Sequence, residues 1–163
     1  LPKQESVDSI LQSTKINWPE AYDHISPSIL KLLRAHHHIR TDLEELLGHY
    51  QIQGADFGIL ATLRRSGEPY CLSPTTLYHS LLFSSGGLTK VLNRMKQAEL
   101  IERLDNPDDK RSKLVKLSPM GKELVDAIIV ELHKNEQKKL AILSEDEIKQ
   151  LDTLLSKLLL SWN

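Results

Sequence analysis

The sequence predicts a mainly α-helical protein carrying one small β-hairpin, and three observations lead there. Apolar residues recur at helical spacing over most of the chain. Ser-Pro pairs at 26–27, 73–74 and 118–119 mark helix starts, a capping side chain followed by a residue whose missing N–H costs nothing there. Only residues 101–104 and 113–117, with a short piece at 70–72, read as strands.

Taken in order, residues 1 to about 15 are polar and weakly patterned, with Ile10 and Leu11 as the only anchors. Ile16, Trp18 and Tyr22 then form an apolar cluster around Pro19 that needs something to pack against. From Ser26-Pro27, Ile29, Leu32, Leu33, His36, Ile39, Leu43, Leu46, Leu47 and Tyr50 predict one long helix to about residue 49. Gly54 breaks the pattern. Phe57, Ile59, Leu60 and Leu63 give a second helix, ended by the turn Ser66 to Pro69. Ser73-Pro74 opens a third through Leu77, Leu81 and Leu82, and Phe83-Ser84 turn into a fourth, Ser-capped helix over 85–98. Leu88, Val91, Leu92 and Met95 form its core side.

Strands 101–104 and 113–117 pair around the tip Asn106-Pro107-Asp108-Asp109. Ser118-Pro119 starts the next helix. Ser144 with Glu147 three residues on is a capping-box start for the last, whose Ile148, Leu151, Leu154, Leu155, Leu158, Leu159 and Leu160 are more than one isolated helix can hide. A second subunit is the expected cover.

Bulk properties narrow the function. The 163 residues suit one domain, or a small lobe with an extension, and the net charge of −1 excludes a polybasic coat for nucleic acid. Residues 84–117 nevertheless carry eight Lys or Arg against five Asp or Glu, a local +3 in a chain that is otherwise acidic. Compact helix-plus-hairpin units with such a face grip DNA. Cys71 is the only cysteine, so no internal disulfide forms and a reducing cytoplasm is the expected setting; its neighbours Tyr70 and Leu72 suggest a half-buried structural thiol. No apolar run is long enough to span a membrane, and the first residues lack a signal pattern. His36-His37-His38 point about 100° apart on a helix, so they cannot close on one metal ion. No acid–base pair, nucleophile–base spacing or phosphate cradle appears, so neither an enzyme nor a cofactor is expected.

Two stretches carry a resemblance: FGILATLRRSGEPYCLSPTTL from residue 57 and SSGGLTKVLNRMKQAELIERLDNPDDKRSKLVKLSPMGKELVD from residue 84. They resemble the MarR family of transcription regulators, and within it the PecS branch, many of whose members sense urate. The resemblance implies a winged helix-turn-helix over residues 51–117. It also implies dimerisation through residues 1–50 and 118–163, and a homodimer on a pseudo-palindromic operator in double-stranded DNA. A ligand-responsive repressor is the function it implies; a winged-helix protein-interaction module that does not bind DNA is the alternative.

Carried over residue by residue, Ser84, Ser85, Thr89, Lys90, Asn93 and Arg94 face the major groove and its phosphates, and Gly86 and Gly87 let the backbone approach closely. Asp109 and Arg111 match the wing's Asp-x-Arg tip, the carboxylate steadying a guanidinium bound for the minor groove; Lys110 and Lys113 reach phosphates. A small-molecule effector, its identity open, is implied near Trp18, Tyr22, His38, Phe57 and Arg103. Gly58 and Val91 stand where the PecS branch has Asp and Arg. Glu99 stands where relatives place a glycine to end the recognition helix.

Overall fold

The structure, a computed structural model, describes residues 4–81, 87–107, 109 and 111–162. The chain forms two compact units, residues 1–45 and 46–163.

In the first unit, α1 (Val7–Asn17) occupies the segment that the sequence leaves unpatterned. Ser6 caps it, accepting the Ser9 amide at 3.0 Å. Arg34 fastens its entry, donating from Nη1 to Glu5 O at 2.6 Å. A short α2 (Pro19–Tyr22) follows, and α3 (Pro27–His49) begins where the Ser-Pro pair predicts. None of the described residues of this unit is buried. The anticipated apolar cluster stays open among the described residues of this unit, with Ile16 68% and Trp18 65% exposed.

The second unit holds the core. Leu46 and Leu47 at the end of α3, Ile59, Leu60 and Leu63 of α4 (Gly54–Arg65), and Leu77 of α5 (Pro74–Ser80) are buried. So are Val91, Leu92 and Met95 of α6 (Leu88–Gln97) and Val125 and Ile128 of α7 (Pro119–Leu140). The hairpin β2 (Ile101–Asp105) and β3 (Lys113–Leu117) pairs antiparallel from Ile101–Leu117 to Asp105–Lys113. A third strand, β1 (Cys71–Leu72), adds to the other edge of β3, giving the order β1-β3-β2. Ser73 and Ser118 cap α5 and α7, accepting the Thr76 and Gly121 amides. Ser144 and Glu147 form the predicted capping box of α8 (Glu145–Leu159).

One junction ties these pieces together. The Ser118 hydroxyl, besides capping α7, donates to Glu99 O at 2.7 Å just past α6, and the Ser118 amide donates to Leu100 O. Gly121 lies against the same carbonyl: a Cβ there would stand 2.1 Å from Leu100 O. The first turn of α7 therefore packs directly on the exit of α6.

Candidate nucleic-acid interface

Helix α6 is built with two opposite faces. Val91, Leu92 and Met95 are buried, whereas Thr89, Lys90, Asn93, Lys96 and Gln97 are exposed. Over Leu88–Gln97 it carries three cations and no acidic residue. Its N-cap is Gly87, at φ +76°, with no side-chain cap. The helix starts at Leu88 behind a left-handed glycine rather than at 85, and the serine expected to cap it, Ser84, falls outside the described residues. Gly87 offers the first-turn amides of α6 no capping side chain, an arrangement suited to an anion. Ser84, Ser85, Gly86 and Lys110 lie outside the described residues.

The helix ends in a Schellman motif: Leu100 N donates to Met95 O and Glu99 N to Lys96 O, both at 3.0 Å. Glu99 occupies the left-handed position at φ +57°, as its alignment with the family's glycine implies.

Thr89, Lys90, Asn93 and Arg94 come together with Gly87 and Gln97 around one open concavity on this face. Gln97 was not among the expected residues, although its place one turn beyond Asn93 is legible from the spacing. Arg94 is only half-exposed, because its Nη2 donates to Asp56 Oδ1 at 2.6 Å. Asp56 is buried, and its other oxygen accepts the Gln53 amide at 2.9 Å at the start of α4.

At the hairpin tip, Asp109 Oδ1 accepts the backbone amide of Arg111 at 2.9 Å. The carboxylate thereby shapes the turn, and the Ser112 amide closes it on Asp109 O. Asp109 and Arg111 are both exposed. Lys113 pairs across the strands with Asp105. Arg103 lies on the same sheet face as Ile101 and Val115, and its Nη1 is buried without a hydrogen-bond partner among the described residues. Burial lowers its pKa from the usual range. Of the other expected ligand contacts, Phe57 is buried in α4, while Trp18, Tyr22 and His38 belong to the 1–45 unit. There Trp18 and His38 are exposed and Tyr22 lies under the Lys15 ammonium, 5.6 Å from the ring centre.

Burial pushes the Cys71 thiol up, with Lys116 opposing, so the group is held away from the reactive thiolate. Among the described residues no three His, Cys, Asp or Glu side chains are gathered to hold a metal, and no helix is long and apolar enough to cross a membrane.

Residues 50–112 match the sequence profile of the MarR family. The chain is 34% identical to the HTH-type transcriptional regulator PecS of Dickeya dadantii, covering 71% of this chain and 69% of PecS. It is also 34% identical to the multiple antibiotic resistance protein MarR of Salmonella typhimurium, covering 80% of this chain and 92% of that protein.

The chain belongs to the MarR family.

Among solved structures, a mutant MarR from E. coli complexed with operator DNA superposes with a TM-score of 0.63 at 32% identity, over 81% of this chain and 96% of the other. The fold is therefore the winged helix-turn-helix of MarR regulators, with α5 and α6 as the helix-turn-helix and β2–β3 as the wing. As a MarR-family member the protein is a transcription regulator, and the relatives it matches are regulators rather than enzymes. Within this frame Asp56 is the contact that sequence reasoning missed. It lies 38 residues from Arg94, beyond any local spacing, and its only local signal is the position three residues after Gln53 that suits a helix start.

Proposed function

We propose that this MarR-family regulator binds a pseudo-palindromic operator as a homodimer, with α6 in the major groove and the wing tip at the minor groove. The carrying observation is α6 itself, a ten-residue helix whose outer face offers cations and amides with no acid among them. Thr89, Lys90 and Asn93 are the base and phosphate contacts, Asn93 having the amide that suits an adenine edge. Ser84, Ser85 and Gly86 precede them as phosphate contacts. Arg111, held out by the Asp109 turn, is the minor-groove cation, and Lys110 and Lys113 contact the backbone. Similarity to the MarR–operator complex supports this docking.

Residues 51–117 are the DNA-binding part, and the segments on either side dimerise. The protein acts in the cytoplasm as a repressor that a small molecule releases. Arg103 supports the effector reading, since an unpartnered guanidinium nitrogen facing the core offers a hydrogen bond to an anionic or carbonyl oxygen. By linkage, such an effector must bind the free and DNA-bound forms with different affinity.

Selection of duplexes from a random-sequence library tests the proposal. A two-fold sequence with half-sites about 10 bp apart is expected to be enriched. Recovery of unpatterned sequence, bound no better than the starting pool at moderate salt, would refute it. A thermal-shift screen of phenolic acids, purines and oxidants, with each hit retested for DNA release, then addresses the effector.

A further inference from the structure

We propose that Asp56 is a positioning residue for DNA recognition. It takes one nitrogen of the Arg94 guanidinium and cancels its charge, so that Arg94 meets DNA as an oriented hydrogen-bond donor and not as a free cation. This rests on the docking of α6 proposed above.

Asp56 is 4% exposed, and both of its oxygens are occupied. Oδ2 accepts the Gln53 amide at 2.9 Å, which fixes the side chain to the start of α4, and Oδ1 accepts from Arg94 Nη2 at 2.6 Å. An anion so fixed is a rigid anchor. Arg94 differs, because its side chain remains 41% exposed and lines the same concavity as Thr89, Lys90, Asn93 and Gln97. A guanidinium has five N–H donors in a planar fork. With one edge held by the carboxylate, the remaining donors keep a set direction, and little rotamer freedom is left to lose on binding.

The charge follows from the same contact. Arg94 is one of the eight positive charges in residues 84–117, and Asp56 lies outside that window. The pair is neutral as a unit, so it adds geometry to the interface while adding nothing to the long-range attraction shared by every DNA sequence. Removing the carboxylate would release a mobile cation beside the groove. Binding to all DNA would then strengthen while discrimination weakens. An ion pair that merely pinned α6 to α4 would change stability and leave both DNA readouts alone.

The experiment measures binding of the full chain to the library-selected duplex and to a scrambled duplex of equal composition across a salt series. For Asp56→Asn, which keeps an oxygen for the Gln53 amide, the slope of log K against log salt on scrambled DNA should steepen by about 0.9, one further phosphate neutralised. The ratio of selected to scrambled affinity should fall about tenfold, the usual scale for losing an oriented charged hydrogen bond. Asp56→Asn/Arg94→Gln should recover the wild-type slope without recovering the ratio. Arg94→Lys keeps the charge and one bond to Asp56 but loses the fork, so it should keep the slope and lower the ratio. This variant also serves if Asp56→Asn does not fold. Wild-type slope and ratio in Asp56→Asn, or a wild-type ratio in Arg94→Lys, would overturn the inference. A library that yields no selected duplex would instead overturn the docking on which it rests.

Discussion

Glu99 holds a left-handed backbone, φ +57°, at the exit of the recognition helix, where the Schellman bonds of Leu100 and Glu99 require it. A side chain with a Cβ costs on the order of 1 kcal/mol there relative to glycine. Glu99→Gly should therefore raise stability by about 1 kcal/mol in a denaturant titration, with the slope unchanged. Gln51 closes α3 in the same way, at φ 57° with Ile52 N donating to Leu47 O. At the other end of the interface, Arg111 projects from a turn that the Asp109 carboxylate holds through a backbone amide. Arg111→Ala should weaken binding to the selected duplex and reduce its salt slope by about one charge, and an unchanged slope would exclude insertion of this arginine.

Helices α4 and α7 are joined by a polar cluster. Arg64 Nε donates to Asp126 Oδ1 at 2.8 Å, Lys122 Nζ donates to Oδ2 at 3.0 Å, and the Arg64 guanidinium stacks 5.0 Å from the centre of the Tyr70 ring. The bond from Arg64, then that from Lys122, holds the Asp126 carboxyl below the usual 3.8. A depressed folded pKa contributes stability above the unfolded value, which is lost as pH falls through the folded one. Asp126→Asn should thus be less stable than wild type near neutral pH, with the gap closing once pH drops below 3.8. Partial exposure keeps that gap modest. A gap independent of pH would mean that the cluster acts through packing alone.

Such elements differ in how far the sequence reveals them. The starts of α5, α7 and α8 are legible because Ser73, Ser118 and Ser144 cap within three residues of themselves. The wing is legible for the same reason, since alternation and turn residues are local. Helix α1 escapes because its apolar residues are few and its entry is fastened by Arg34, 29 residues away. The start of α6 shifts because Gly87 adopts a conformation that the serine pair does not signal. The exposed part of the candidate interface, Thr89, Lys90 and Asn93, follows from helical spacing, whereas the anchor of Arg94 depends on tertiary packing.

At the scale of the whole molecule, each of the two units leaves large apolar side chains open among the described residues. Leu154 is 65% exposed, and Leu159, Leu160 and Trp162 follow along α8 and the 3-10 turn Leu160–Trp162. Leu33 and Ile39 of α3 are similarly open. Open side chains of this kind fit the homodimer proposed above, in which a second copy would cover them and set the separation of the two α6 helices. Leu154→Glu combined with Leu159→Glu should convert the protein, in sedimentation equilibrium, from twice the chain mass to the chain mass. Affinity for the two-fold duplex should fall steeply, and its preference over a single half-site should disappear. An unaltered mass would move the interface elsewhere.

Gly121 carries a consequence for variation. If every position were randomised and survivors sorted by regulation in cells, the column for residue 121 should collapse to glycine, because any β-carbon there collides with the backbone oxygen of Leu100. Gly58 should admit alanine, its would-be β-carbon meeting, among the described residues, only Leu81 Cδ2 at 3.8 Å. The two glycines are alike in composition and both sit inside helices; the neighbour facing each one decides which is replaceable.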